Sequence, residues 1–305
     1  MKVFDGLQQY QPHENGAYVA LGFFDGVHLG HQAVIGGCAA ESGELPCAVL
    51  TFDESPAKAL GKTAPPLLSD NRRKAELIAR LGADEAIFAD LARIKDHSPR
   101  EFVRVILRDR LNAKRVYCGF NYRFGKNGAG DINDLRELCR EVGIGVTVKE
   151  SVSVDGEQIS SSAIRALIAD GEIAHANKML GYRFAVGGDI GSGNHIGTAM
   201  GFPTVNIPLT KGIVIPRFGV YASVITVDGK AFRGATNIGV HPTVGANAEP
   251  LCETFLLDFQ GGDLYGKRAV CELRRFIRPE KRFRSTEELT EQVGKDCQTI
   301  LSMTL

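Results

Sequence analysis

The sequence predicts two units of different class: an α/β unit with a mostly parallel sheet, then a small antiparallel β-barrel or sandwich with a final helix. Three observations predict this. Strand-like and helix-like runs alternate through the first half, the order that builds a parallel sheet with helices on its faces. From near Gly181 to Phe276 the runs are β-like and separated by turn residues, with no helical period between them. The length of 305 residues and the 44% hydrophobic content allow two domains of ordinary size, each with its own core.

The elements follow in order. Ala17 to Phe24 is a strand and Gln32 to Ala40 a helix. Cys47 to Phe52 is a second apolar strand. Asp70 to Leu81 is a helix with Ala75, Leu77, Ile78 and Leu81 on its apolar side. Glu85 to Ala89 is a short strand. Ser98-Pro99-Arg100-Glu101 opens a helix with a capping serine, proline at the first helical position and a glutamate that completes a capping box. Arg115 to Cys118 and Gly145 to Lys149 are strands that flank a helix over Ile132 to Val142. The β-rich half then offers Val205 to Ile207, Val220 to Val227, Ala231 to Ile238, Thr254 to Phe259 and Ala269 to Phe276. Ser285-Thr286-Glu287-Glu288 opens the last helix with another capping box, and Leu289, Val293, Cys297, Ile300 and Leu301 give it one face to lay on the barrel. The junction falls in Gly181 to Gly188, which sets domains at 1–182 and 183–305.

Charge and cysteine usage narrow the function. The chain carries 36 basic and 36 acidic residues, a formal net charge of +0. That argues against a broad electrostatic surface for nucleic acid or membrane and leaves room for a local pocket for a small molecule. Seven cysteines stand apart with no CxxC or metal-like spacing, which reads as reduced core thiols of a cytoplasmic protein. No signal-peptide pattern opens the chain, and no apolar run approaches membrane-spanning length. Nothing in the pattern selects between a monomer and a homo-oligomer.

Five stretches carry chemistry. In Gly22-Phe23-Phe24-Asp25-Gly26-Val27-His28-Leu29-Gly30-His31, a strand feeds a glycine turn and a helix N-terminus, where backbone N–H groups and the helix dipole suit a phosphate. His28 and His31 fall on one side of the first helical turn. They read equally as surface residues or metal ligands, although no Cys or His cluster stands near them to complete a zinc site. Gly119-Phe120-Asn121-Tyr122-Arg123-Phe124-Gly125 interleaves aromatics with an amide and a cation, which suits a planar polar ligand, or simply makes a hydrophobic corner. Ile159-Ser160-Ser161-Ser162-Ala163-Ile164-Arg165 places hydroxyls at a helix entry with Arg165 one turn on from Ser161, either a polyphosphate site or an ordinary serine cap. Gly201-Phe202-Pro203-Thr204-Val205-Asn206 follows a glycine-dense loop of Gly187, Gly188, Gly191, Gly193 and Gly197, and Thr204 and Asn206 share one face of an extended segment, where their oxygens could meet one Mg²⁺. Glu253 shares a strand face with Phe255, Leu257 and Phe259; the partial desolvation suits a general base, unless the residue sits at a frayed strand end in water.

Taken in order, these stretches resemble the prokaryotic bifunctional riboflavin kinase/FAD synthetase family over nearly the whole chain. Gly22 to His31 matches its GxFDGxHxGH signature, Gly119 to Gly125 its GxNYxFG segment, and Ile159 to Arg165 its ISSTxIR motif with Ser162 for threonine. Gly201 to Asn206 matches GFPTAN, and Leu257-Asp258-Phe259 with Asp263-Leu264-Tyr265-Gly266-Lys267 matches LLDF…DLYGK. The resemblance implies a Rossmann-like nucleotidyltransferase domain and a riboflavin kinase β-barrel. It also implies two reactions: ATP phosphorylates riboflavin to FMN, then ATP adenylylates FMN to FAD with release of pyrophosphate. On that reading His28 and His31 stabilise charge at the α-phosphate. Gly22, Phe24, Asp25, Gly26, Gly30, Ser161, Ser162 and Arg165 bind ATP in the adenylyltransferase, and Asn121, Tyr122, Arg123 and Phe124 bind flavin or nucleotide. Gly193, Gly197, Gly201, Pro203 and Asn206 bind ATP in the kinase, Thr204 and Asn206 hold Mg²⁺, and Glu253 takes the hydroxyl proton. Two positions depart from the family pattern. Ser55 stands where TFxPHP has histidine, and Thr198 stands where an arginine often precedes GFPT. The rivals are a chain with one active module, the adenylyltransferase, and a flavin- or nucleotide-binding regulator without catalysis.

Overall fold

The computed structural model describes residues 1–59, 61–191, 204–240, 250–259, 261–262 and 264–304. It divides into two compact units, Met1–Ser161 and Ser162–Leu305. The division falls earlier in the chain than the change of composition near Gly181.

The first unit is a six-stranded sheet of β1 (Lys2–Asp5), β2 (Ala17–Leu21), β3 (Cys47–Phe52), β4 (Glu85–Ala89), β5 (Ala113–Gly119) and β6 (Gly145–Lys149). Its order is β1-β4-β3-β2-β5-β6, and every pairing is parallel; β7 (Ser153–Val154) and β8 (Glu157–Gln158) form a separate antiparallel hairpin. The helices are α1 (Leu29–Glu41), α2 (Pro56–Ala59), α3 (Asn71–Ala79), α4 (Leu91–Ile94), α5 (Pro99–Glu101) and α6 (Ile132–Glu141). Strands β3 and β4 follow β2 on one side of it, and β5 and β6 lie on the other. The order therefore reverses at β2, and the crevice beyond its C-terminal end is where an open α/β sheet binds ligands. Gly22 to His31 occupies that place.

Sequence and structure agree on most of these elements, with instructive differences. β2 ends at Leu21, not Phe24, because the backbone turns left-handed at Phe24 (φ 53°). The Ser98 capping box is complete, with Ser98 Oγ accepting from the Glu101 amide and Glu101 Oε2 accepting from the Ser98 amide at 2.7 Å. The helix it opens is α-helical only to Glu101 and continues as a π-helix over Phe102–Arg110. Phe102, Val103, Ile106 and Leu107 enter the core of this unit with Val19, Leu21, Leu50 and Val116. All seven cysteines are free and buried.

The second unit carries α7 (Ser161–Asp170, opening on the last residue of the first unit), α8 (Ile173–Leu180), and six strands: β9 (Ala185–Asp189), β10 (Thr204–Pro208), β11 (Gly219–Val227), β12 (Lys230–Val240), β13 (Pro250–Leu256) and β14 (Arg268–Pro279). They form an antiparallel sheet in the order β10-β13-β12-β11-β14-β9. The Gly191 amide donates to the Asn206 carbonyl at 2.9 Å and nearly closes the two edges into a barrel. Inside it, the hydroxyls of Ser223, Thr236 and Thr254 form a chain, at 2.7 Å and 2.8 Å, beside Cys252 and Cys271. Helix α9 (Thr286–Leu301) lies on the outer face, with Val293, Cys297 and Ile300 against Ala222, Ala235, Phe255 and Leu257. Its cap is partial: Ser285 Oγ accepts from the Glu288 amide, but the Glu288 carboxylate accepts from Arg284 and Lys281 instead of closing the box.

The glycine-dense loop needs correction, because Gly187 and Gly188 belong to β9. A Cβ on Gly188 would stand 2.7 Å from a methyl of Ile207, so this glycine serves close strand approach and not phosphate contact. Helix α8 is also unanticipated. Asn177 anchors it, donating to the Leu273 carbonyl at 2.9 Å and accepting from the Phe184 amide at 2.7 Å.

Candidate functional site

The first site is the turn beyond β2. Phe24, Gly26 and Val27 have φ of 53°, 74° and 38°, a run of left-handed backbone that includes a β-branched residue. Such conformations persist only when the surroundings over-determine them. Four side-chain bonds do so. Thr51 Oγ1 donates to the Phe23 carbonyl at 2.8 Å, Gln32 Nε2 to the Val27 carbonyl at 2.9 Å, and Ser161 Oγ to the Asp25 carbonyl at 3.1 Å. Asp25, 2% exposed, accepts from the Leu68 amide at 2.8 Å. A Cβ on Gly26 would meet Leu68 at 2.6 Å, so glycine is required there for space as well as for φ.

The turn delivers two imidazoles to the start of α1. His28 is its N-cap, and its Nδ1 accepts from the His31 amide at 3.4 Å. The proton of a neutral His28 then sits on Nε2, which is left as a donor. The two rings stack with centroids 3.6 Å apart, and Phe24 meets His31 edge-on at 5.4 Å. Burial pushes His28 down to about 4. It pushes His31 well below the ordinary histidine value too, helped by His28 and Lys74. Both rings are therefore neutral at pH 7. Leu29 and Gly30 open the helix, where the first backbone N–H groups lack helical partners. Uncharged N–H donors beside helix-terminal amides can bind an anion and stabilise added negative charge on it.

The structure brings Ser161 to this turn. Ser162 and the half-buried Arg165 follow on the same helix, with Arg165 Nη1 donating to Ser162 Oγ at 3.4 Å. Ser55 is 8% exposed. Beyond β5, Phe124 is in the core, and Tyr122 stacks on it at 6.0 Å, its hydroxyl pushed far up by burial. Arg123 donates to the carbonyls of Gly128, at 2.9 Å, and Ala129, closing the loop after β5. Phe120, Asn121 and Arg123 are the exposed members of the segment. A residue that sequence reading missed is Lys74 on α3, 1% exposed, whose Nζ lies 4.4 Å from the Phe23 ring centroid. Its signal was available: Lys74 precedes the buried Leu77 and Ile78 by three and four positions, on the same helix face.

The second site lies on the barrel. Register places Asn206, Glu253 and Asn237 side by side on neighbouring strands β10, β13 and β12. Directly paired residues point to one face, so the carboxylate stands between two amides. Asn206 is 4% exposed, and Thr204 shares its face two residues back. Glu253 is half-buried and, with Asn237, Phe255 and Phe283, lines a cleft of about 920 Å³. The cleft is rimmed by Lys281, Arg282 and Arg284. Arg278 and Asp296, paired at 2.7 Å, tie β14 to α9 at its wall. Asn237 and this ion pair were not anticipated, because the first emerges only from strand register and the second only from the packing of α9 on the barrel. Gly193, Gly197, Thr198, Gly201 and Pro203 lie outside the described residues.

Comparison with known proteins joins the two sites. The FAD synthetase family model matches residues 10–163, and the riboflavin kinase model matches residues 180–304. A bifunctional riboflavin kinase/FMN adenylyltransferase from Listeria monocytogenes is 36% identical over 91% of this chain and 89% of its own length. One from Escherichia coli is 34% identical over 97% of this chain and 96% of its own. A solved structure from Streptococcus pneumoniae, described as a macrolide-efflux protein, covers 99% of both chains at 27% identity with a TM-score of 0.88. Among the described residues no helix is long and apolar enough to cross a membrane. With a match for each module and relatives spanning nearly its whole length, the chain belongs to the family of bifunctional riboflavin kinase/FMN adenylyltransferases.

Proposed function

We propose that the two sites divide the family's two reactions between them, with domains 1–182 and 183–305 as the functional modules. At the barrel, a ribityl hydroxyl of riboflavin attacks the γ-phosphate of ATP, and the bond to the β-phosphate oxygen breaks to leave ADP. Glu253 takes the hydroxyl proton, and Asn206 and Asn237 hold its carboxylate in line. The cleft beside it has apolar walls, among them Phe255 and Phe283, with polar groups at hand, a lining that suits a planar flavin ring system. At the turn beyond β2, an FMN phosphate oxygen attacks the α-phosphate of a second ATP, and pyrophosphate leaves. His28 and His31 donate to the oxygens on which charge builds, and the first amides of α1 add to them. The role of Ser161, Ser162 and Arg165 in holding the ATP phosphates, and of Asn121 in placing the base or flavin, rests on the motif match.

Mg²⁺ fits the donor set at the barrel. Thr204 and Asn206 offer two neutral oxygens on one face beside a carboxylate, and a cation with this ligand preference takes its remaining positions from phosphate and water. When bound it neutralises phosphate charge. Thr204 and Asn206 orient the nucleotide to which it is bound.

The observation that carries this reading is the Asn206–Glu253–Asn237 row opening on a cleft in one unit, with the histidine-capped phosphate turn in the other. Incubation with riboflavin, ATP and Mg²⁺, followed by separation of flavins, should show FMN first and FAD after it. Chelation of the metal should stop both steps. FAD formed only from supplied FMN would leave the adenylyltransferase alone active. Flavin binding without turnover would make the chain a regulator.

A further inference from the structure

Lys74 is a cation sealed beneath the phosphate turn. It is 1% exposed, and burial at this depth requires compensation from its surroundings. Its Nζ donates to the carbonyl of Phe52, the last residue of β3, at 3.2 Å. It stands over the rings of Phe23 at 4.4 Å and Phe88 at 5.6 Å. The charged and titratable groups around it come from three other elements: Asp25 from the turn, Asp53 from the end of β3, and His31 from the first turn of α1. Without Lys74, this crevice would offer two carboxylates to a polyanion.

Resting on the adenylyl-transfer reading above, we propose that Lys74 is a positioning residue for the nucleotide. Its buried ammonium holds Phe23 and the end of β3 in place and offsets one of the two negative charges of Asp25 and Asp53, so that a triphosphate meets a turn with less repulsion. The histidines and helix amides contact the phosphates; Lys74 acts from behind them.

The consequence is an alkaline limit on ATP use. Desolvation brings Lys74 down to about 8, opposed by Asp25 and Asp53. The ammonium is present below that pH and lost above it, so kcat/KM for ATP in FMN adenylylation should fall as pH rises through this region. Lys74→Arg, whose guanidinium stays charged, should remove that limb. Lys74→Met keeps the aliphatic volume and should lower kcat/KM for ATP about tenfold at neutral pH, mostly through KM. Riboflavin phosphorylation by the same preparations should be unchanged. Asp53→Asn, an exposed change, should move the limb to lower pH, and it decides the matter where the Lys74 variants do not fold. The proposal is overturned by any of three results: no alkaline limb in the parent enzyme, the same limb in Lys74→Arg, or an unmoved limb in Asp53→Asn. Absence of FAD formation by the parent enzyme at every pH would instead overturn the adenylyl-transfer reading on which the proposal rests.

Discussion

Replacing both His28 and His31 by alanine is expected to lower conversion of FMN to FAD by about 10³-fold or more while leaving conversion of riboflavin to FMN at the parent rate. The size follows from what the pair supplies. Each ring is a preorganised neutral donor in a dry site, and losing a single donor to developing phosphate charge costs about 10²–10³ in rate. The rings also fix each other. His28 caps α1 through the His31 amide and stacks on the His31 ring, so one substitution disturbs the other residue and the two losses are not independent. Flavin chromatography after incubation with FMN and ATP, and separately with riboflavin and ATP, measures both rates. A parallel loss of FMN formation would contradict the assignment of these residues to a site of their own. Burial pushes His28 down to about 4, so protonation of this ring should limit the reaction only well below the ordinary histidine range.

Glu253→Ala is expected to have the complementary effect: a loss of about 10²–10⁴ in riboflavin phosphorylation with FMN adenylylation retained. Proton transfer from an alcohol needs a base within reach, and in the proposed reaction that base is Glu253, paired in register with Asn206 and Asn237. Glu253→Gln should be nearly as inactive, because it keeps the volume and hydrogen bonding but cannot take a proton. The parallel assay with FMN as substrate serves as the folding control. Loss of FMN adenylylation in Glu253→Gln would mean that the modules are not separable, or that Glu253 supports the fold and not the chemistry.

How far the chain could be read without coordinates depended on how local each signal was. Periodicity placed β3, β4 and β6 at their observed ends, since an apolar run bounded by turn residues carries its own limits. The Ser98 box and most of the α9 face were legible for the same reason, although Leu301, read onto that face, is exposed. The π-helical continuation after Glu101 was not, because Phe102 to Arg110 has the composition of an ordinary amphipathic helix and only packing selects the wider turn. Gly187 and Gly188 read as loop residues because a glycine states what it permits and not what it touches. At the first site the motif gave the histidines and the turn. Lys74, more than forty positions downstream, belongs to no motif, and only its place three and four positions before Leu77 and Ile78 on one helix face points to its burial. At the second, Glu253 was legible on its strand, but its flanking amides depend on the pairing of β13 with β10 and β12, which a single strand does not encode.

On the proposed division, one chain holds two independent sites linked only by FMN. Mixing the His28→Ala/His31→Ala variant with Glu253→Ala tests it most directly, with riboflavin, ATP and Mg²⁺ supplied and FAD followed over time. Neither variant alone should form FAD from riboflavin, and the mixture should form it after a lag while FMN accumulates in solution. A mixture that accumulates FMN and still makes no FAD, although Glu253→Ala converts supplied FMN, would contradict the claim.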